Sequence, residues 1–121
     1  MRKYILVIDD LPAIRGLIVS ILTTQGYEVD IARNGMEGLK MAYEKQYDLI
    51  ISDINMPVMD GKEFYTKLVE RAPSMKQRVL FITGNDDRES FLFLNKAGVK
   101  YLSKPFKTTD LLKVVDGVDT I

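Results

Sequence analysis

Four largely apolar runs in this 121-residue chain each end in residues suited to phosphate or metal chemistry. Tyr4-Ile5-Leu6-Val7-Ile8 stops at Asp9-Asp10, Leu49-Ile50-Ile51-Ser52 at Asp53, Val79-Leu80-Phe81-Ile82 at Thr83, and Val99 to Ser103 at Lys104-Pro105. Taken singly these are ordinary: Asp after a strand is commonly a turn or cap residue, and Lys before Pro a solvated one. Brought together, three carboxylates, a hydroxyl and an ammonium are a different matter. Crowded carboxylates repel and raise one another's pKa, so they need a cation. The chain has no His and no Cys, which leaves oxygen ligands and selects magnesium, calcium or manganese over zinc. Magnesium held by two or three of these carboxylates would keep several waters and could bring a phosphoryl oxygen beside Asp53. A carboxylate can attack phosphorus to form an acyl phosphate. The metal and Lys104 would then neutralise the equatorial oxygens, with the Thr83 hydroxyl and nearby amides holding the remaining one.

The elements that would position these residues are legible in the hydrophobic pattern. Tyr4 to Ile8 and Val79 to Thr83 read as buried strands, and Tyr47 to Asp53 as a third, because neither the first two nor Leu49-Ile50-Ile51 alternates with polar residues. Tyr27 to Ala32 alternates, with Tyr27, Val29 and Ile31 on one face, and Val99 to Ser103 is a fifth strand. Between them lie helical segments. Leu11 to Gln25 carries Ile14, Leu17, Ile18, Ile21 and Leu22 at helical spacing, with Pro12 in the first turn and Gly26 as the stop. Met36 to Lys45 is a second helix, and a third opens at Asp60-Gly61 with Asp60 as N-cap and ends at Ala72-Pro73. A fourth runs from about Asp87 to Ala97 with Gly98 as C-cap, and Thr108 or Thr109 caps a fifth. Strands joined by helical crossovers form a parallel sheet with helices on both faces. The expectation is an α/β, doubly wound, flavodoxin-like (βα)5 domain over residues 1–121, with strand order 2-1-3-4-5. Ligands of such sheets bind beyond the strands' carboxyl ends, where the five polar residues converge.

Composition narrows the function classes. Seventeen basic and seventeen acidic residues cancel, so no global field favours nucleic acid or an anionic membrane. No apolar run reaches the roughly 18 residues of a membrane span, and the first residues enter a strand too early for a signal peptide. The reading is a soluble cytoplasmic domain.

The segments Val7-Ile8-Asp9-Asp10, Asp53-Ile54-Asn55-Met56-Pro57-Val58-Met59-Asp60-Gly61, Phe81-Ile82-Thr83-Gly84, Ala97-Gly98 and Tyr101-Leu102-Ser103-Lys104-Pro105-Phe106 span nearly the whole chain. In that order they resemble the receiver domains of two-component response regulators, the chemotaxis response regulator being the single-domain example. The resemblance implies that Asp53 is the phosphoacceptor, that Asp9, Asp10 and Asp53 with the Asn55 backbone carbonyl hold Mg2+ (or Mn2+), and that Lys104 and Thr83 contact the phosphoryl group. Thr83 and Tyr101 would be the switch residues, Pro57, Gly61, Gly84 and Pro105 would shape the loops, and Lys104-Pro105 would be cis. Asn55 and Asn85 would flank the phosphate and tune attack by water. Met59 reads as packing.

Two departures stand out. Only Val99 and Lys100 separate Gly98 from Tyr101, one residue fewer than in many relatives, and Gly84 replaces the common Ala, leaving room at the phosphate. The run Phe91-Leu92-Phe93-Leu94 exceeds what one helix face can bury. Phe91 and Leu94 can face inward together, whereas Leu92 or Phe93 would extend a partner surface across helix 4, strand 5 and helix 5. The implied donor is a histidine kinase or phosphotransfer domain, and a phosphorylation-dependent homodimer is compatible with the same face. The domain would catalyse only its own phosphorylation and dephosphorylation. No output domain follows the last helix, which fits a stand-alone regulator or a receiver cut from a hybrid histidine kinase. A phosphorylation-independent interaction module is opposed by the complete acidic set. A haloacid-dehalogenase-like phosphatase would need Asp where Asn55 stands, and a flavodoxin-like cofactor binder a Gly, Ser or Thr cradle where Asp9-Asp10-Leu11-Pro12 stands.

Overall fold

The computed structural model describes residues 2–56, 58–84 and 88–120. Strand and helix alternate five times: β1 Tyr4–Ile8, α1 Pro12–Thr24, β2 Glu28–Ala32, α2 Gly35–Glu44, β3 Leu49–Asp53, α3 Gly61–Arg71, β4 Val79–Thr83, α4 Arg88–Ala97, β5 Lys100–Ser103 and α5 Thr108–Asp116. A single 3-10 turn, Pro73–Met75, lies between α3 and β4. All four strand pairings are parallel and the order is β2-β1-β3-β4-β5, the expected flavodoxin-like arrangement.

Period-2 side-chain alternation divides the core into two layers. Ile5, Val7, Leu49, Ile51, Leu80 and Ile82 meet Ile18 and Leu22 of α1 and Leu111 and Val115 of α5. Leu6, Ile8, Ile50 and Phe81 meet Leu39 of α2, Phe64 and Leu68 of α3 and Leu94 of α4 on the opposite face. β3 and β4 are buried along their whole length, which is why their sequences are continuous apolar runs. β2 departs from its expected one-faced pattern. Tyr27 and Val29 pack towards α1 and α5, but Ile31 is 45% exposed, because β2 is an edge strand with its margin open to water.

Helix ends follow local chemistry. Asp60 and Asn34 accept from the backbone N–H three residues on, at 2.9 and 2.8 Å, and cap α3 and α2. Gly98 takes φ +70° after α4, and the Val99 N–H returns to the Leu94 carbonyl. α5 corrects the expectation that Thr108 or Thr109 is its cap. Lys107 is the capping position, without a side-chain bond, and its carbonyl accepts from Asp110 and Leu111, so both threonines lie inside the helix. The expected start of α4 near Asp87 lies outside the described residues.

The apolar run of α4 splits as its excess predicted. Leu94 is fully buried, Phe93 sits edge-on to Tyr65 and Phe81, Phe91 lies against Tyr101, and Leu92 is left 60% exposed. At the amino-end pole of the sheet α5 is fastened. Lys3 Nζ donates to the carbonyls of Val115 and Asp116 at 2.9 and 3.0 Å, the Tyr27 hydroxyl donates to the Asp116 carboxylate, and Arg78 donates to the Asp119 carbonyl. A cation on the last carbonyls of a helix also complements its dipole.

Candidate functional site

β1 and β3 are neighbours and end level with one another, Ile8 being paired with Ser52. Asp9, Asp10 and Asp53 therefore meet, each offering a carboxylate oxygen within 4.8 Å of the others. Asp9 and Asp53 are buried and Asp10 is half-buried. Asp9 Oδ1 accepts from the Leu11 N–H at 2.9 Å, while its Oδ2 is buried with no partner among the described residues. Asp53 Oδ1 accepts a long bond from the Asn55 N–H, 3.4 Å, and Oδ2 stands 3.5 Å from Lys104 Nζ. Lys104 reaches this point because its own N–H donates to the Thr83 carbonyl at 2.7 Å, tying the end of β5 to that of β4. The Lys104–Pro105 peptide is cis.

Burial dominates the electrostatics. It pushes the Asp53 carboxyl above its ordinary range, against the opposing pull of Lys104 and the Asn55 N–H. It also raises Asp9, against the Leu11 N–H and with a further push from the charge of Asp53. A carboxylate oxygen buried without a donor is costly by about 1–3 kcal/mol or more. Its natural remedy is a cation, and three oxygen ligands with no nitrogen or sulfur suit a hard one. The donor set thus fits magnesium.

Thr83 is fully buried, its hydroxyl donating to the Gly84 carbonyl at 3.1 Å. Thr83 pairs with Ser103 and Phe81 with Tyr101, so Thr83 and Tyr101 look to the α4 side of the sheet. Tyr101 is half-buried against Phe91. Gly84 has open space: a Cβ there would meet nothing within 4 Å among the described residues. Gly61 is the opposite case, for its Cβ would lie 2.7 Å from the Phe81 ring and 2.8 Å from the Ile54 Cα. Its N–H closes the loop after Asp53 onto the Ile54 carbonyl at 2.8 Å. Asn55 is exposed, and Met56 and Met59 are buried, consistent with Met59 as packing. Pro57 and Asn85 lie outside the described residues.

Sequence reasoning missed two contributors. Arg15 donates to the Asp9 carbonyl at 3.0 Å and steadies the acidic turn; the signal was available, since it is the one charged residue in α1. Val58, 76% exposed, takes φ +71° at the apex of the loop after Asp53. Nothing in its residue type announces that conformation, which β-branched side chains avoid.

The fold and this acidic cleft define the class. The chain matches the response regulator receiver domain over residues 5–116 and belongs to that family. Among its relatives is the probable transcriptional regulator ycf29 of Pyropia yezoensis, 36% identical over 96% of this chain and 52% of that protein. The chain spans about half the length of the first relatives it matches. Among solved structures, the chemotaxis protein CheY4 of Vibrio cholerae superposes with a TM-score of 0.86 at 34% identity, covering 98% of this chain and all of that one. The receiver domain of the sensor histidine kinase PA1611 of Pseudomonas aeruginosa, described with magnesium coordinated in its active-site cleft, gives 0.86 at 26% identity over 96% of both chains.

Proposed function

We propose that this receiver domain accepts a phosphoryl group on Asp53 from the phosphohistidine of a histidine kinase or phosphotransfer domain, and that the acyl phosphate switches a partner-binding face. One observation carries the reading: the Asp53 carboxylate, 5% exposed, shares its cleft with Asp9 and Asp10 and faces Lys104 Nζ at 3.5 Å. In the transfer an Asp53 carboxylate oxygen forms the bond to phosphorus as the phosphorus–nitrogen bond breaks, and the electron pair leaves on the imidazole nitrogen. Lys104 stabilises charge on the phosphoryl oxygens, and burial strengthens that interaction.

Asp9, Asp10 and Asp53, with the Asn55 carbonyl, would hold Mg2+, with Mn2+ as a substitute. When bound, the ion neutralises the crowded carboxylates and the charge on the transferring group. Asp9 Oδ2, without a partner among the described residues, is the ligand with most to gain. The reported magnesium in the PA1611 receiver's cleft supports this choice.

The Thr83 hydroxyl would leave the Gly84 carbonyl for a phosphoryl oxygen, and Tyr101 would follow it inward. The phosphate acts by binding one pre-existing state better than another. Leu92, the half-buried Phe91 and the exposed parts of β5 and α5 would form the responding face, through which a downstream protein or a second copy docks. The domain turns over no external substrate, and a cytoplasmic setting suits it; no described helix is long and apolar enough to cross a membrane.

The test is intact-mass measurement after incubation with acetyl phosphate and magnesium. One phosphoryl adduct on the wild type and none on Asp53→Ala is expected. No adduct on the wild type, or undiminished labelling of the variant, refutes the acceptor assignment.

A further inference from the structure

The first turn of α2 touches both backbone segments that carry the acidic residues, although it contributes no ligand. Gly35, its first residue, lies so close to the loop after Asp53 that a Cβ would stand 2.6 Å from the Met59 carbonyl oxygen and 3.2 Å from the Met59 Cβ and Cγ. Three residues on, a Cβ at Gly38 would stand 2.3 Å from Cδ1 and 2.8 Å from Cγ1 of Ile8, the residue before Asp9. Both are in α2, where glycine costs about 1 kcal/mol relative to alanine, so close approach is the benefit that offsets them. The turn is firmly built. Asn34 caps it by accepting from the Glu37 N–H at 2.8 Å, and Glu37 Oε1 accepts from the N–H of Arg33, the residue before the cap, at 3.2 Å. The end of the preceding strand is also tied to the site, for the Asp9 N–H donates to the Ala32 carbonyl at 3.2 Å.

Met59 in turn is buried, and the Gly61 N–H to Ile54 carbonyl bond closes the loop that bears Asn55. A displacement of α2's first turn is therefore passed to Asp9-Asp10 through Ile8 and to the Asp53–Asn55 side through Met59. The geometry points to Gly35 and Gly38 as positioning residues that set the separation of the two halves of the cation site, and so its preference among ions by size. This rests on the reading of Asp9, Asp10 and Asp53 as ligands. Magnesium demands oxygen ligands at about 2.0–2.1 Å in near-octahedral array, whereas calcium accepts about 2.3–2.6 Å and looser geometry. A methyl group wedged at Gly35 should open the gap, weakening magnesium more than calcium.

Calorimetric titration of magnesium chloride and calcium chloride into the metal-free protein tests this without reference to phosphorylation. Gly35→Ala should weaken magnesium by about tenfold, the scale on which supporting groups affect metal affinity, and calcium less. The magnesium-to-calcium affinity ratio therefore falls. Gly38→Ala should lower the same ratio, and Ile8→Ala in that background, which removes both clashing atoms, Cδ1 and Cγ1, should restore it. If Gly35→Ala does not fold, Asn34→Ala loosens the same turn without added bulk and should lower the ratio in the same direction. A folded Gly35→Ala or Asn34→Ala with an unchanged ratio overturns the positioning role. A wild type that binds neither ion overturns the metal reading itself, so the two failures are distinguishable.

Discussion

The ring of Tyr101 on β5 rests against that of Phe91 on α4, centroids 5.6 Å apart and planes at 59°. The residue expected to report phosphorylation is thus in contact with the helix expected to respond to it. Tyr101 is paired with Phe81, two residues before Thr83 on β4, and Leu92, next to Phe91 in the helix, is exposed.

Phe91→Ala removes half of that contact. It should cost roughly 1–2 kcal/mol, below a fully buried Phe because the ring is only half-buried. It should also free Tyr101 to leave its present position. A fluorotyrosine resonance assigned to Tyr101 should move in the variant before any phosphodonor is added; an unmoved resonance counts against the coupling.

Val58 makes a prediction of opposite sign. Its φ of +71° is costly for a β-branched residue, and its side chain is 76% exposed, so little packing compensates. Val58→Gly should stabilise the domain by about 0.5–1 kcal/mol after glycine's greater unfolded-state entropy is deducted. Thermal denaturation should show a midpoint higher by roughly 2–4 °C, and a lower midpoint would refute it.

These two cases mark where the sequence is legible. The alternation of apolar runs and amphipathic segments led to a parallel sheet with helices on both faces, the family resemblance stands behind its strand order, and strand ends led to Asp9, Asp10, Asp53, Thr83 and Lys104, because a parallel sheet converts order along the chain into proximity at one edge. Asp60 announced its cap by residue type. What stayed hidden depends on atoms approaching across elements, as Gly35 does beneath Met59, or on a backbone path that residue type does not announce, as at Val58. The α5 cap was misread because two threonines after a break look like caps, whereas the backbone of Lys107 already closes the first turn.

Burial of the acceptor has a pH signature. The Asp53 carboxyl is raised by burial, so the folded state holds its proton more tightly than the unfolded chain. Stability from this group is fully present below the unfolded carboxylate value of about 3.9 and is lost as pH rises through the folded value. In metal-free buffer Asp53→Asn should therefore melt higher than wild type at neutral pH, with the advantage shrinking as pH falls. Saturating magnesium should narrow the difference by stabilising the wild type. Wild type melting above the variant in chelator at pH 7 would contradict this.

Gly61→Ala should be severe. The added methyl group would meet the Phe81 ring and the Ile54 backbone below 3 Å, and a backbone atom cannot swing aside as a side-chain tip can. Overpacking of this kind costs about 1–3 kcal/mol, measurable by urea denaturation. A loss under about 0.5 kcal/mol, the range of surface changes, would show that the loop after Asp53 yields more readily than its contacts suggest.

The fastening of α5 by Lys3 and Tyr27 makes the two ends of the helix unequal. A nine-residue helix is marginal on its own, and its two ends are where its amides open first. Here the last turn of α5 is stitched to the approaches to β1 and β2 by Lys3 and Tyr27, and Arg78 holds the Asp119 carbonyl just beyond it. Its amides should exchange with deuterium later than those of the first turn, where Lys107 offers no side-chain cap, so that the helix peels from the edge nearest the acidic cleft and holds at the opposite pole.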